Sequence, residues 1–185
     1  MTNFFKHEVV GEILEIGLLP VFYNKDTKVA ENIVRACVDG GAKVIEFTNR
    51  GDLAYEVFSD LVKWSKKELP DVILGAGTIL DTATADLFIN CGANFIVGPI
   101  FNPDVAKICN RRKIVYIPGC MTPTLLSMGS IKAAQTNELK DSLIMFLGGG
   151  IVFGASGGLP RSTTDSSPAG SSTTIFAAFN STNPS

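Results

Sequence analysis

The stretch that decides the fold of this chain is Val44-Ile45-Glu46-Phe47-Thr48-Asn49-Arg50. Its apolar part is short, begins with β-branched residues and is bracketed by Gly40-Gly41 and Gly51, which favours a buried strand over a helix. Glu46 is the exception within this strand, because a buried carboxylate costs several kcal/mol unless it is paired or lies at a polar rim. A hydroxyl and a guanidinium follow at the end of the strand, so the stretch predicts a functional acid.

The chain up to residue 124 repeats a pattern of short apolar runs and amphipathic helical spacings. Besides 43–47, strands are predicted at 18–22, 72–74, 95–97 and 114–117. Helices are predicted between them, with starts near Asp26 or Thr27, Asp52, Asp81 and Pro103. Such alternation without a hairpin signal predicts a parallel sheet with right-handed crossovers.

Two topologies fit a parallel sheet of this kind, a barrel and a doubly wound open sheet. Gly75-Ala76-Gly77 lacks the third glycine of a dinucleotide-binding fingerprint, and no acid follows at the expected distance. The predicted fold class is therefore α/β, of the parallel (β/α)8 TIM-barrel type.

Length and charge narrow the class of protein. The 185 residues are 45% hydrophobic and 18% charged, which predicts one globular domain. A formal net charge of −2 offers no basic field for nucleic acid and no polybasic membrane patch. We expect a cytoplasmic protein without a signal peptide, membrane span or nucleic-acid partner. The four cysteines form no C-x-x-C pair, so neither a zinc site nor a disulfide framework is expected.

Side chains suited to a binding pocket recur where the predicted strands end. Glu46 and Arg50 belong to one strand end, Thr78 follows the third strand and Pro99 follows the fourth. Because the carboxyl ends of parallel strands share one face of a barrel, we expect these residues to converge on one pocket. An arginine fork binds a carboxylate and a glutamate moves protons, which together suit a small keto acid. The alternative is that Glu46 and Arg50 only neutralise each other.

Four ordered segments carry a resemblance to a known family. They are Ile45–Arg50, Gly75–Leu80, Phe95–Pro99 and Ile117–Thr124, and they resemble the 2-keto-3-deoxy-6-phosphogluconate and 4-hydroxy-2-oxoglutarate aldolases over residues 1 to about 124. The resemblance implies a trimeric (β/α)8 barrel and a class I aldolase. Such an enzyme cleaves its sugar-acid substrate to pyruvate and an aldehyde through a lysine Schiff base, and no metal or other cofactor is implied.

The resemblance also assigns roles to individual residues. Glu46 matches the family's general acid/base, Arg50 its ligand for the pyruvate carboxylate, and Thr78 and Pro99 its pocket wall. The family's lysine lies on the sixth strand in a V-K-x-F-P context, followed by a glycine pair for phosphate. Lys140 has about the right distance from Pro99 but a polar context, and Gly149 and Gly150 are the candidates for the phosphate nest.

The character of the sequence changes after Thr124. Two serines precede this point and eleven follow it, and the last forty-five residues contain three charged side chains. We therefore expect 1–124 to form the first five units of a barrel that is incomplete after the fifth strand. Residues 125–159 leave the continuation open, and 160–185 are expected to be an irregular Ser/Thr-rich tail. A change of coding frame after codon 124 would account for the break.

Two alternatives to an active aldolase stay open. A phosphate-binding barrel isomerase or synthase would share the fold and the glycine loops but not the pairing of Glu46 with Arg50. A non-enzymatic, truncated or frame-changed product would expose the edge of a partial sheet to partners. Trapping of a lysine by pyruvate and borohydride separates the aldolase from both alternatives.

Overall fold

The computed structural model describes residues 4–120 and the backbone of 144–146, 153–154 and 178–179. Strands and helices alternate along residues 6–120. The helices are α1 (Lys6–Ile16), α2 (Thr27–Asp39), α3 (Ala54–Glu68), α4 (Thr82–Cys91) and α5 (Pro103–Arg111). The strands are β1 (Val21–Phe22), β2 (Val44–Thr48), β3 (Ile73–Gly77), β4 (Phe95–Gly98), β5 (Val115–Cys120), β6 (Ile144–Phe146), β7 (Phe153–Gly154) and β8 (Ala178–Phe179). The predicted alternation is confirmed over the first five strands.

Polar caps fix where three of the helices begin. The Asp26 carboxylate accepts hydrogen bonds from the backbone N–H groups of Lys28 and Val29, at 2.8 and 3.2 Å, ahead of α2. Asp81 does the same for Thr84 at 2.9 Å. Asn102 caps α5, whose first residue is Pro103. These contacts satisfy backbone donors that a helix leaves unpaired in its first turn.

The predicted N-cap at Asp52 is wrong. Helix α3 begins at Ala54, and its N-cap is Leu53, which adopts a left-handed conformation with φ 56° and makes no side-chain cap. The turn that follows β2 therefore sets the start of this helix, although Asp52 is the residue whose side chain is better suited to an N-cap.

The sheet is parallel through its first five strands. Each of β1 to β4 pairs with the strand that follows it, so the spatial order equals the chain order. A doubly wound sheet reverses direction at a switch point, whereas a barrel adds strands consecutively. The barrel-type expectation is thus confirmed. Short strands extend both sides of the sheet: β6 and antiparallel β7 follow β5, and β8 lies parallel to β1.

Successive side chains of β2 alternate between two apolar layers, as a strand requires. Ile45 and Phe47 pack under the helices, in a cluster that includes Phe58 and Phe88. Val44 faces the opposite side, where α1 packs in a second cluster with Ile73, Phe95, Val97, Val115 and Ile117. Both faces of the sheet are therefore buried, and Glu46 lies on the Val44 side.

Several expectations concern other parts of the chain. Lys140, Gly149 and Gly150 lie outside the described residues, as does 160–185 apart from the short strand β8. None of the described helices combines the length and the apolar character needed to cross a membrane.

The aromatic core gives a first stability prediction. Phe58 is fully buried between Phe47 and Phe88, with ring centroids at 5.9 and 5.3 Å. Replacing it with alanine leaves a cavity, so Phe58→Ala should lower the free energy of unfolding by about 3 to 5 kcal/mol in urea denaturation. Leu87→Ala on α4, 41% exposed, is the control and should cost less than about 0.5 kcal/mol. Equal losses would contradict this packing.

Candidate active site

Glu46 owes its position to a gap in the neighbouring strand. The carboxyl-bearing side chain projects from the middle of β2 and is 5% exposed. In the register of the sheet Glu46 lies opposite Gly75, and a Cβ atom placed on Gly77 would overlap Glu46 Oε1. A side chain at position 77 would therefore occupy the space that the carboxylate fills. Our sequence analysis missed this role, although two glycines at alternate positions of one strand signal close approach by another group.

Gly75, two residues earlier on β3, leaves a similar space nearer the amino ends of the strands. A Cβ atom there would overlap the ring of Phe95, which is fully buried on β4. The two glycines of β3 thus admit one aromatic ring and one carboxylate into the interior of the sheet. The Glu46 carboxylate lies nearer the carboxyl ends of the strands than the Phe95 ring does, so the side chains below it are apolar.

Burial dominates the chemistry of Glu46. Removal from water raises the pKa of this carboxyl from 4.5 to about 8, and the positive charge of Arg50 offsets part of the rise. Glu46 and Arg50 form no ion pair within 4.0 Å, although both lie in the described part of the chain. The alternative that the two residues only neutralise each other therefore has no direct ion pair to support it, although the Arg50 charge acts on Glu46 from a distance. Near neutral pH the carboxyl can give up a proton and take one back.

Arg50 lies in the turn that follows β2 and is exposed. Its backbone N–H donates to the Thr48 carbonyl at 3.0 Å. Thr48, at the end of β2, is buried, and its hydroxyl donates to the carbonyl of Phe22 on β1 at 3.4 Å. The backbone around Arg50 is thus tied to the sheet while the guanidinium remains accessible.

Thr78 and Pro99 follow β3 and β4 at the same end of the sheet. Thr78 has φ 62°, which is strained for a β-branched residue. Strain of this kind concentrates at functional sites. The flanking turns are joined, because Ile79 N–H donates to the Val97 carbonyl at 3.1 Å and Asn49 N–H donates to the Gly77 carbonyl at 2.8 Å.

Two polar residues that our sequence analysis did not single out connect these loops. The Tyr116 hydroxyl, from β5, donates to the Ile100 carbonyl at 3.2 Å and accepts from the Asn102 N–H at 3.1 Å. The Asn102 side-chain amide donates to the Leu80 carbonyl at 2.9 Å. The loop containing Pro99 is therefore attached both to β5 and to the loop that follows Thr78.

The structure thus places Arg50, Thr78 and Pro99 just after the carboxyl ends of three adjacent parallel strands. Glu46 lies two residues before the end of β2. Their roles in binding and catalysis stay predictions. The predicted partners Lys140, Gly149 and Gly150 cannot be placed beside them, since they lie outside the described residues.

A small pocket of about 10 Å³, enough for one water molecule, lies at the other end of the sheet. It is lined by residues of α3, by Phe4, and by residues at the amino ends of β3 and β4, among them Asn94. The Asn94 amide nitrogen donates to the Leu74 carbonyl at 3.2 Å, and its buried Oδ1 has no hydrogen-bond partner. A single water molecule is the expected partner for such an atom. This cavity is remote from the strand ends that carry Glu46.

Neither a metal site nor a reactive thiol is found among the side chains of residues 4–119, which the structure describes. No cluster of three His, Cys, Asp or Glu side chains there could hold an ion. Cys37, Cys91 and Cys109 are free, and burial raises the pKa of the Cys109 thiol to about 12. A thiol with so high a pKa is protonated at neutral pH and is not a nucleophile.

The raised pKa of Glu46 predicts how stability depends on pH. Between pH 4.5 and about 8 the unfolded chain has lost a proton that the folded chain keeps, so stability falls as pH rises through this window. Glu46→Gln should remove this slope and, at pH 8, increase the free energy of unfolding by up to about 4 kcal/mol. Urea denaturation from pH 4 to pH 9 measures both effects.

Glu15→Gln is the matched control for this experiment, because Glu15 is an exposed residue of α1. It should leave the pH dependence as it is in the unsubstituted chain. A slope that survives in Glu46→Gln would show that Glu46 ionises normally.

The gap at Gly77 leads to a second prediction. The methyl group of Gly77→Ala would displace the carboxylate toward water, so the pKa of Glu46 should fall toward 4.5, and overpacking should cost about 1 to 3 kcal/mol. Carbon-13 NMR of the carboxyl measures the pKa. Gly11→Ala is the control, since nothing lies within 4 Å of the added methyl and the helix should gain about 0.4 to 1 kcal/mol. An unchanged Glu46 titration in Gly77→Ala would contradict the proposed packing.

Comparison with known proteins bears on the family and the fold of this chain. The family model of KDPG and KHG aldolases, the enzymes of the two keto acids named above, matches residues 10–140. The match runs past residue 124, where we expected the resemblance to end, and includes Lys140. The 2-dehydro-3-deoxy-phosphogluconate aldolase of Treponema pallidum is 34% identical over 116 residues, 62% of this chain and 53% of that protein. The KHG/KDPG aldolase of Escherichia coli is 32% identical over 118 residues, 63% of this chain and 54% of that protein.

Solved structures with the same fold include several aldolases. The KDPG aldolase of Legionella pneumophila, with pyruvate captured as a covalent carbinolamine, has a TM-score of 0.61, 19% identity and coverage of 76% of each chain. The aldolase of Zymomonas mobilis with 3-phosphoglycerate has a TM-score of 0.59, 22% identity and coverage of 76% of this chain and 74% of its own. The present chain spans about half the length of its curated relatives. From the family match and the shared barrel, we conclude that this chain belongs to the KDPG and KHG aldolase family.

Proposed function

We propose that residues 4–120 form the pyruvate-binding and proton-transfer half of a class I aldolase site. The observation that carries the proposal is the buried Glu46 carboxyl, whose pKa of about 8 is set by burial and moderated by Arg50. In this proposal Glu46 is the general acid/base, Arg50 binds the carboxylate of the keto acid, and Thr78 and Pro99 form the pocket wall.

The chemistry of the two charged residues supports this division of roles. An acid/base works best when its pKa lies near the working pH, which the environment of Glu46 achieves. Arg50 is exposed and has no ion-pair partner among the described residues, so its guanidinium is available for two parallel hydrogen bonds to a carboxylate. A substrate bound there would also bring its reacting carbon close to the carboxyl ends of β2 and β3.

We propose Lys140 as the amine that forms the Schiff base, because the family match extends to this residue. The amine adds to the keto carbon, water leaves, and the resulting iminium accepts the electrons of the breaking carbon–carbon bond. Glu46 transfers the protons that these steps require. In the Legionella protein, pyruvate was captured as a covalent carbinolamine, the first species in such a sequence.

The local sequence makes Lys140 a poor amine, however. It is flanked by Glu138 and Asp141. Nearby negative charges favour the protonated form of a lysine, whose ordinary pKa is about 10.4 and which must be neutral to attack a carbonyl. We therefore propose that the chain retains pyruvate binding but has little aldolase turnover.

The substrate, the assembly and the location of the protein are proposed from its relatives. We propose 2-keto-3-deoxy-6-phosphogluconate or 4-hydroxy-2-oxoglutarate as substrate, with Gly149 and Gly150 contacting the phosphate of the former. A homotrimer is the proposed assembly; one protein of this fold is a cage designed by fusing symmetric oligomeric domains. The cytoplasm is the proposed location, supported by the unpaired cysteines at positions 37, 91 and 109.

Binding of pyruvate tests the first part of the proposal. Isothermal titration at pH 7 should show saturable binding to the full chain, and Arg50→Met should weaken it at least about tenfold, because a charge-assisted contact contributes about 1.5 to 3 kcal/mol. Lys28→Met is the control, since Lys28 is exposed and pairs with Glu31 on α2. An unsubstituted chain that binds no pyruvate would refute the proposed function.

Borohydride reduction tests the covalent step in the same preparation. We expect little pyruvate adduct by mass spectrometry and turnover well below the ordinary rate of about one per second. An adduct that is lost in Lys140→Met, together with turnover at that rate, would show that Lys140 is deprotonated and that the chain is an active enzyme. Translation of the encoding DNA in its other two frames after codon 124 tests the frame-changed alternative.

A further inference from the structure

Tyr23 lies beside the proposed site but belongs to none of the family-like segments. It follows β1 directly, and β1 pairs with β2 so that Val21 is opposite Glu46 and Phe22 is opposite Phe47. Tyr23 therefore emerges at the level of the sheet where β2 ends. The turn carrying Arg50 begins at this same level.

The Tyr23 ring is in intimate contact with that turn. A Cβ atom placed on Gly51 would overlap the Tyr23 hydroxyl and the ring carbon that bears it. Gly51 is the residue after Arg50, and its carbonyl accepts a hydrogen bond from Ala54 N–H at 3.2 Å. The end of the aromatic ring thus lies against the backbone between Arg50 and the start of α3.

The opposite part of the ring rests on a rigid support. Tyr23 packs against Phe47 with ring centroids 5.7 Å apart, and Phe47 is fully buried between Phe22 and Phe58. The Tyr23 hydroxyl forms no hydrogen bond to any described residue. Its contact with the turn is therefore a van der Waals contact. The aromatic core supports the Tyr23 ring, and the ring supports the backbone at Gly51.

We infer that Tyr23 is a positioning residue for Arg50: it braces the turn after β2 and holds the guanidinium where it meets the carboxylate of a keto acid. The inference rests on the function proposed above for Arg50. Gly51 is the necessary counterpart, because any side chain at this position would compete with the ring for the same space.

The pKa of Glu46 depends on the position of Arg50 and can be measured without any ligand. The Arg50 charge lowers the pKa of Glu46 against the effect of burial, so displacement of Arg50 should raise that pKa. Carbon-13 NMR titration of the full chain should therefore show a higher pKa in Arg50→Met and a smaller rise in Tyr23→Leu. Tyr23→Phe keeps the ring and should leave the pKa unchanged. Tyr55→Leu, at a half-buried tyrosine of α3, is the matched control and should also leave it unchanged.

Gly51→Ala tests the same contact by changing the backbone side of it. This variant replaces Tyr23→Leu as the test of the inference if circular dichroism shows that Tyr23→Leu is unfolded. It should raise the pKa of Glu46, because the added methyl and the ring cannot both fit. Gly11→Ala should have no effect. An unchanged Glu46 titration in Gly51→Ala, or in a folded Tyr23→Leu, overturns the inference, as does an unchanged titration in Arg50→Met.

Pyruvate titration separates this inference from the proposed function. We expect the dissociation constant to rise about tenfold in Tyr23→Leu and to stay within about twofold in Tyr23→Phe, since small displacements of a binding group have large effects. If the unsubstituted chain binds no pyruvate while the Glu46 titrations behave as expected, the proposed function fails and the bracing of Arg50 stands. If Arg50→Met weakens binding but Tyr23→Leu does not, the bracing fails and the proposed function stands.

Discussion

The fit of the Glu46 carboxylate into the space above Gly77 is the constraint on which the rest of the site depends. Only a residue without a side chain leaves room for it, and the parallel register of β2 and β3 brings the two together. The same burial raises the pKa of Glu46 to about 8. A single packing relation therefore sets both the position of the acid and the pH at which it ionises. The space above Gly77 fixes the position, and the exclusion of water from that space raises the pKa.

Around this acid the loops are held by short contacts to neighbouring strands. Thr48 is bonded to β1, and Tyr116 bonds the loop that contains Pro99. Tyr23 supports the turn next to Arg50. These contacts join loops that are distant in sequence, and each uses a residue on a strand or at its end. A binding site on such loops is positioned by the rigid sheet, which is why polar residues on flexible connections can act together.

The family match and the described structure divide the proposed mechanism into two parts. The groups proposed for proton transfer and for anion binding, Glu46 and Arg50, lie within residues 4–120, in a sheet whose first five strands are parallel and consecutive. The proposed amine, Lys140, falls at the end of the family match. Binding of a keto acid needs a cation and a pocket, whereas cleavage also needs an electron sink. The two capacities are therefore chemically separable, which is the basis for proposing that this chain binds a keto acid but turns it over slowly.

The sequence by itself determined the alternating units, the parallel sheet, the cap at Asp81, a start of α2 at Asp26 or Thr27, and Glu46 as a buried acid. Each of these is encoded locally, in the spacing of apolar residues or in one polar residue at a helix start. Only the tertiary structure decided that α3 begins after Leu53 without a side-chain cap, that Gly77 accommodates the carboxylate and that Tyr23 contacts Gly51. These features depend on which atoms from separate segments occupy the same small volume. No local pattern specifies that, because close packing is a property of the assembled core.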